Sequence, residues 1–211
     1  MRVLIAVPIY DFAHFEFIDS LMRLARRMTR DGIDFDVKIK GNTLVYVARD
    51  YLAQQAANNN YDYVLWLDAD MVFPDTIFND LLDNGKKMVT GIYHSRRPPY
   101  NSCVFRKINT ETVERFEEYP RELFEVDGCG FGIVLMKAQL IRDLFVNFHT
   151  CFLPEKQLGE DIAFCKRVQM IGEKIYCDPT VRAGHIGHNV IYPEDHDRYL
   201  EQIHNPNKIK V

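Results

Sequence analysis

The sequence predicts a single-domain α/β fold in which a mostly parallel central sheet is flanked by helices. The apolar run at residues 3–7 is continuous rather than alternating, which is typical of a strand buried on both faces. Residues 15–28 place apolar side chains at three- and four-residue spacing, which indicates an amphipathic helix. Strand and helix patterns then alternate as far as residue 93. Such an order favours a parallel sheet with ligands at the carboxyl ends of its strands.

Each later element of this alternation has its own signal. Residues 35–40 alternate strictly between polar and apolar, which predicts a strand, and a Gly-Asn turn pair follows them. Residues 44–58 have one apolar face and run into consecutive asparagines, which predicts a helix and its end. Residues 63–67 form the most hydrophobic predicted strand. A short helix over 74–82 begins at a proline, and a strand over 87–93 follows.

The second half of the chain is less regular. Glycine stands at every second position from 128 to 132, where it permits another group to approach the backbone closely. The polar residues 205–211 are predicted to form a tail or a linker to further domains, so the domain is assigned to residues 1–204. The remaining predicted elements are strands over 103–107, 123–126, 133–136 and 174–177 and helices over 138–145 and 160–171.

Composition excludes several classes of protein. With 26 basic and 30 acidic residues, the net charge of -4 gives no general attraction to nucleic acid or to an anionic membrane. Five cysteines without a CxxC pair argue against a disulfide framework and favour a reducing compartment. The apolar run at the N-terminus is too short to span a membrane. We therefore expect a cytoplasmic protein that neither spans a membrane nor binds nucleic acid.

Asp68-Ala69-Asp70 is the strongest candidate site because it directly follows the most hydrophobic strand. Extended geometry would put Asp68 and Asp70 on one side, where both could reach one ligand, and Ala69 keeps the backbone between them accessible. Carboxylate ligands of this kind suit Mg²⁺ or Mn²⁺. The other two triplets of this type, at 34–36 and 195–197, lie in polar surroundings and are interpreted as solvated.

Other polar residues leave two interpretations open. His185 and His188 each follow a glycine and are either metal ligands or surface residues. Glu160 and Asp161 stand at a predicted helix start, where they either favour the helix dipole or provide a general base. Arg49 could reach a pyrophosphate or pack its stem on the sheet. Arg96 and Arg97 are interpreted as residues of a solvated loop, with contact to a phosphate as the alternative. The aromatic residues Tyr10, Trp66 and Phe131 are expected to pack in the core rather than to stack on a ligand.

Several of these segments occur together in a specific order along the chain. They are Val-Pro-Ile-Tyr-Asp at 7–11, Ala-Arg-Asp at 48–50, Leu-Asp-Ala-Asp at 67–70, the glycines of 128–132, Glu160-Asp161 with Cys165-Lys166-Arg167, and Gly184-His185. In this order they resemble the nucleotide-sugar-dependent glycosyltransferases of the Rossmann-like GT-A fold, over residues 3–190. Asp50 stands where that family commonly has Asn, and the Gln/Arg-x-x-Arg-Trp signature is absent, which speaks against a processive polysaccharide synthase.

The resemblance implies a role for each matching position. Asp70 would bind Mn²⁺ (or Mg²⁺) bridged to the donor diphosphate, with His185 rather than His188 as a further ligand. Asp68 would face the ribose and sugar and would also belong to the metal site. Asp161, beside Glu160, would deprotonate the acceptor hydroxyl. The remaining donor-binding positions are Pro8, Tyr10 and Asp11 at the nucleoside, Arg49 at the nucleotide or phosphate, Ala69, and Gly130 near the donor sugar and acceptor.

The implied activity is metal-dependent transfer of a sugar from a nucleoside-diphosphate sugar, with a UDP-sugar favoured, to a hydroxyl of a glycan or glycoprotein with inversion. A retaining enzyme of the same fold, a sugar nucleotidyltransferase and a non-catalytic nucleotide-sugar-binding module are the alternatives. The absence of glycine between residues 10 and 15 counts against the nucleotidyltransferase, which needs a loop that grips a triphosphate. The size also resembles capsid-glycan glycosyltransferase domains of chlorovirus-like large DNA viruses, which implies a host cytoplasm location.

Overall fold

A computed structural model of the chain describes residues 1–108, 113–116, 118–187 and 190–204. The polar tail 205–211 and His188 lie outside the described residues. The helices are α1 (Phe15–Arg30), α2 (Val45–Asn58), α3 (Ile77–Leu82), α4 (Ala138–Phe148), α5 (Glu160–Met170) and α6 (Pro193–His204). The strands are β1 (Arg2–Pro8), β2 (Asp34–Lys40), β3 (Tyr63–Leu67), β4 (Met71–Val72), β5 (Met88–Ile92), β6 (Val104–Ile108), β7 (Val113–Arg115), β8 (Phe124–Val126), β9 (Gly128–Cys129), β10 (Ile133–Lys137), β11 (Ile175–Arg182), β12 (Gly184–Ile186) and β13 (Val190–Ile191).

The main sheet has seven strands in the order β2-β1-β3-β10-β5-β11-β8. β2, β1, β3, β5 and β11 run in one direction, and β10 and β8 run against them. The prediction of a mostly parallel sheet is therefore confirmed, but the sheet is mixed. β10 is antiparallel because it leaves the glycine segment 128–132 at the carboxyl end of β3 and returns alongside that strand. This mixed α/β domain is compatible with a Rossmann-like fold.

Both faces of the sheet are buried, as the continuous apolar run in β1 predicts. Leu4 and Ala6 belong to one core cluster, which contains side chains of α2, α4 and α5. Val3, Ile5 and Val7 belong to the other, which contains side chains of α1 and α3. Because successive strand residues point to opposite faces, only an uninterrupted apolar run can supply both clusters.

Two small sheets and one helix were not predicted. β4, β12 and β13 form one three-stranded sheet, and β6, β7 and β9 form another. Gly184, which precedes the candidate ligand His185, begins strand β12. A side chain on Gly184 would place its Cβ 2.6 Å from Val190 Cγ1, so its glycine permits close strand packing rather than mobility. β11 also extends further than predicted, through Arg182.

Helix α6 contains the Asp195-His196-Asp197 triplet, which the sequence placed in a solvated polar region. Asp195 accepts a hydrogen bond from the amide of Tyr192 at 2.7 Å, just before the first turn. Proline at the first helical position and acidic residues in the first turn are start signals that could have identified this helix. Among the described helices, none has the length and apolar character needed to cross a membrane.

Candidate functional site

A cleft of about 320 Å³ opens at the carboxyl ends of β1 and β3. That volume is at the lower end of the range of roughly 300–1,000 Å³ that is usual for small-molecule sites. Six of its lining residues were predicted to bind the donor or the metal, and Arg96 was not. The cleft is lined by Pro8, Ile9, Tyr10, Asp11, Phe12, His14, Val45, Asp68, Ala69, Asp70 and Arg96.

The segment after β3 turns instead of continuing as a strand. The amide of Met71 donates to the carbonyl of Asp68 at 3.2 Å, and the amide of Asp68 donates to the carbonyl of Gly132 at 3.1 Å. The segment is therefore a turn and not the extended strand end that was expected. Asp68 and Asp70 line the same cleft, but each carboxylate has different partners.

Arg49 connects three elements beneath the cleft. Its Nη2 lies 2.8 and 2.9 Å from the two carboxylate oxygens of Asp68, and its Nη1 lies 2.6 Å from Glu160 Oε1. The guanidinium also lies 5.3 Å from the ring centre of Phe131. Burial alone would lower the pKa of Arg49, but the two carboxylates outweigh burial and raise it. Arg49 therefore ties α2 to the turn after β3 and to the first residue of α5.

Asp70 meets two cationic or potentially cationic side chains. Its Oδ2 accepts a hydrogen bond from Arg96 Nη1 at 2.8 Å and lies 3.3 Å from His185 Nε2. Arg96 is therefore not simply a solvated loop residue. No local sequence pattern indicates this contact, since residues 70 and 96 belong to separate loops.

The hydrogen bonds of His185 determine which nitrogen faces the cleft residues. Its Nδ1 lies 2.9 Å from the carbonyl oxygen of His94, and because a carbonyl only accepts, Nδ1 donates. Nε2 is left facing Asp70. Burial alone would lower the pKa of His185, but the hydrogen bond to Asp70, the charge of Asp70 and the hydrogen bond to the His94 carbonyl together outweigh burial and raise that pKa. Burial would raise the pKa of Asp70, yet His185 and Arg96 lower it.

Asp70 and His185 offer a divalent cation one oxygen and one nitrogen donor. The backbone contact of Nδ1 orients the imidazole as metal-binding histidines are usually oriented. Within the described residues there is no group of three or more acidic, histidine or cysteine ligands. Both oxygens of Asp68, the other carboxylate predicted to bind the metal, are bonded to Arg49. A two-residue site fits Mn²⁺ or Mg²⁺, which commonly complete their shell with phosphate oxygens and water.

Asp161 lies in the first turn of α5. Its Oδ1 accepts a hydrogen bond from the amide of Ile162 at 2.8 Å, whereas its Oδ2 has no hydrogen-bond partner among the described residues. Burial raises the pKa of Asp161, the nearby Arg49 lowers it, and Glu160 raises it, with a net upward shift. A carboxylate with one fixed oxygen, one free oxygen and a raised pKa is suited to accept a proton.

Gly130, predicted to lie near the donor, is packed inside the fold. A Cβ on Gly130 would lie 2.2 Å from the hydroxyl oxygen of Tyr93, and one on Gly132 would lie 2.8 Å from Cζ of that ring. The close neighbour that these glycines admit is therefore Tyr93, whose hydroxyl accepts a hydrogen bond from the amide of Gly132. Gly130 is buried and is not among the described residues that line the cleft.

Sequence reasoning gave Asp50 no role beyond its departure from a family pattern. Its Oδ1 accepts hydrogen bonds from the amides of Cys151 and Phe152 at 2.8 and 3.0 Å, and its Oδ2 accepts one from the hydroxyl of Thr150. These bonds hold Phe152 against Trp66, with ring centres 5.1 Å apart. Asp50 therefore supports the floor of the site instead of facing the cleft.

Comparisons with known proteins show what the chain is similar to in sequence and in structure. The chain is 25% identical over 203 residues to the mannan polymerase complex subunit MNN9 of Candida albicans, covering 77% of this chain and 54% of MNN9. The chain thus spans about half the length of that relative. No protein-family model matches the sequence.

Among solved structures, the crystal structure of A197 from STIV matches with a TM-score of 0.65 and 22% identity, over 92% of each chain. This likeness shows a shared fold. A second structure, the inositol-1-phosphate CTP transferase from T. maritima, matches with a TM-score of 0.48 and 11% identity, over 100% of this chain and 98% of that one.

Replacement of Arg49 tests whether it holds the site together. Arg49→Ala leaves the Asp68 and Glu160 carboxylates without their cation, and we expect it to lower the free energy of unfolding by about 3 kcal/mol in urea titrations. The matched control is Arg23→Ala, whose ion pair with Asp19 is exposed, and its effect should stay below about 1 kcal/mol. Equal losses in the two variants would contradict the role of Arg49.

The raised pKa of Asp161 predicts a pH-dependent effect on stability. The folded state holds the Asp161 proton more tightly than the unfolded state, so this group stabilises the fold at pH values below its unfolded pKa of about 3.9. That contribution is lost as the pH rises through the folded pKa. We therefore expect Asp161→Asn to raise Tm relative to wild type at pH 7, with a smaller difference near pH 4. Asp83→Asn, at an exposed helix end, is the control and should show no such trend.

Proposed function

We propose that the protein is a metal-dependent glycosyltransferase that moves a sugar from a nucleoside-diphosphate sugar to an acceptor hydroxyl of a glycan or glycoprotein. The observation that carries the proposal is the pairing of Asp70 with His185 Nε2 at the edge of the cleft. A carboxylate oxygen and an imidazole nitrogen 3.3 Å apart form a site for a cation that an anionic diphosphate can complete. Asp161 belongs to a second electrostatic network with Arg49 and Asp68, and Asp68 lines the same cleft as Asp70.

The nucleoside end of the donor would lie against the loop that follows β1. Tyr10 is 70% exposed and lines the cleft beside Asp11, so its ring is free to stack on a base. The loop itself is fixed, because the amide of Asn42 donates to the carbonyl of Tyr10 at 3.1 Å. The carbonyl of Ala69 accepts from the amide of His14, which closes the other side. We favour a UDP-sugar as the donor.

Asp70 and His185 would hold Mn²⁺ or Mg²⁺, which when bound neutralises charge on the departing nucleoside diphosphate. Arg96 already reaches Asp70 from the opposite loop, and half of its side chain is exposed. The same guanidinium can donate to a diphosphate oxygen, since its bond to Asp70 uses only one nitrogen. Asp68 would remain hydrogen-bonded to Arg49 and would present its exposed edge to the ribose and sugar.

Asp161 would act as the base that takes the proton of the acceptor hydroxyl. Its free Oδ2 and raised pKa suit that transfer, and the amide of Ile162 holds the other oxygen in place. Attack by the deprotonated hydroxyl on the side opposite the departing diphosphate inverts the anomeric configuration. Glu160 is bonded to Arg49 and so positions the helix start that carries Asp161.

The sequence similarity to a mannan polymerase complex subunit supports a glycosyltransferase-related function. Mannan is a polymer of mannose, so mannose belongs among the sugars to be tested. The nucleotidyltransferase and the non-catalytic module remain outcomes that the experiment below distinguishes.

The decisive binding experiment is a thermal-shift panel of UDP, GDP and their sugars, including a mannose donor, with and without Mn²⁺. We expect one nucleotide class to raise Tm only when Mn²⁺ is present, because Asp70 and His185 would hold the cation and the cation would neutralise the charge of the diphosphate. Asp70→Ala should abolish this shift. Asp83→Ala, an exposed acidic residue outside the cleft, should retain it.

A second arm separates binding from chemistry. Asp161→Asn should retain the metal-dependent shift but lose sugar transfer by about 100-fold or more. A shift that does not need metal, or one that survives Asp70→Ala, would contradict the proposed cation site. Donor binding without any turnover by the wild-type chain would support the non-catalytic module, and turnover of a nucleoside triphosphate with a sugar phosphate would support the nucleotidyltransferase.

A further inference from the structure

Strand β2 forms one edge of the main sheet. It pairs with β1 on one side, and no strand pairs with its other side within residues 1–108, 113–116, 118–187 and 190–204. Its two faces have different chemistry because side chains alternate along a strand. One face carries Asp34, Asp36, Lys38 and Lys40, and the other carries Phe35, Val37 and Ile39.

The backbone groups on the open side of β2 can be identified from one hydrogen bond. The amide of Ile9 donates to the carbonyl of Lys40 at 2.9 Å, so Lys40 directs its backbone groups toward β1. Successive residues of a strand direct these groups to alternate sides. The amides and carbonyls of Phe35, Val37 and Ile39 therefore face the open edge, ready to pair with another strand.

The geometry points to antiparallel pairing of β2 with β2 of a second copy of this chain, around a twofold axis at Val37. This register places Asp34 opposite Lys40, Asp36 opposite Lys38, and Phe35 opposite Ile39 of the second copy. Every charged pair is then of opposite sign and every apolar residue meets an apolar one, which is the favourable pattern for cross-strand neighbours. The inference does not depend on the proposed function.

Only this register makes the strand complementary to itself. Moving the axis to residue 35 or 36 sets aspartate against aspartate, and moving it to residue 38 or 39 sets lysine against lysine. Like charges directly opposite each other are destabilising. Edge strands that avoid pairing commonly carry lysines alone, whereas β2 has an acidic half and a basic half.

The charged side chains of β2 keep free bonding capacity for a second copy. Asp36 accepts from Arg2 and from the hydroxyl of Tyr61, and both bonds go to Oδ2, which leaves Oδ1 available. Lys38 donates one of its three ammonium protons to Gln55 of α2 at 3.0 Å. These existing bonds also hold the side chains in place, so less conformational entropy is lost on pairing.

Apolar surface beside the edge would be covered as well. Val37 is 39% exposed and Ile39 is 55% exposed. Lys40 lies over the ring of the exposed Tyr51, 5.1 Å from its centre, so that part of α2 lies next to the edge. One strand pair with these neighbours is smaller than the roughly 1,200 Å² of a stable interface, so we expect a weak dimer that depends on concentration.

The inference is tested by reversing the charge of Asp34 or of Lys40, the outermost pair, and measuring self-association by sedimentation velocity over a wide concentration range. Asp34→Lys and Lys40→Glu each create two like-charge pairs in the symmetric dimer, and each should raise the dimer dissociation constant about tenfold. An equimolar mixture of the two variants restores opposite charges at both pairs and should associate as the wild type does. The double variant Asp34→Lys/Lys40→Glu restores them within one chain, and it gives the same test if a single variant folds poorly.

Val37→Lys places two lysines at the axis and should abolish association, whereas Val146→Lys, at a 79% exposed position on α4, should not change it. A wild-type chain that stays monomeric at every concentration would overturn the inference. So would a dimer whose dissociation constant is the same in the Asp34→Lys, Lys40→Glu and Val37→Lys variants.

Discussion

The buried guanidinium of Arg49 is the interaction on which the arrangement of the site depends. It is 4% exposed, yet it lies within 3 Å of carboxylates from two different parts of the chain. Two carboxylates brought this close would repel each other and the nearby Asp161 without a cation between them. Arg49 therefore allows the turn after β3, which lines the cleft, and the start of α5 to lie close together.

An aromatic layer supports this charged cluster from below. Phe131, Phe152 and Phe164 have ring centres within 5 Å of one another, and Trp66 packs on two of them. Phe131 also faces the guanidinium of Arg49. The layer excludes water from the arginine, which strengthens its ion pairs. Apolar packing and electrostatics thus act on the same side chain.

Local patterns predicted the elements well but not the contacts between them. The continuous apolar run in β1 and the three- and four-residue spacing in α1 each specify the type of element and the side chains that it buries. Both elements were therefore predicted to within two residues of their ends. The Arg49–Glu160 and Arg96–Asp70 pairs join residues far apart in the chain, and no local pattern encodes such a partner. Gly130 shows a second limit of prediction from sequence. A glycine at this position indicates a close neighbour, but only the folded chain identifies that neighbour as Tyr93.

In the proposed mechanism, Asp161 and the Asp70–His185 pair would act from opposite sides of one bound donor sugar. This is tested most directly by proton NMR of the transferred sugar during turnover of a nucleoside-diphosphate sugar in the presence of Mn²⁺. We expect the wild-type chain to form a product whose anomeric configuration is inverted relative to the donor. A product of unchanged configuration would contradict the role of Asp161, and the absence of transfer from a donor that binds would contradict the proposed mechanism.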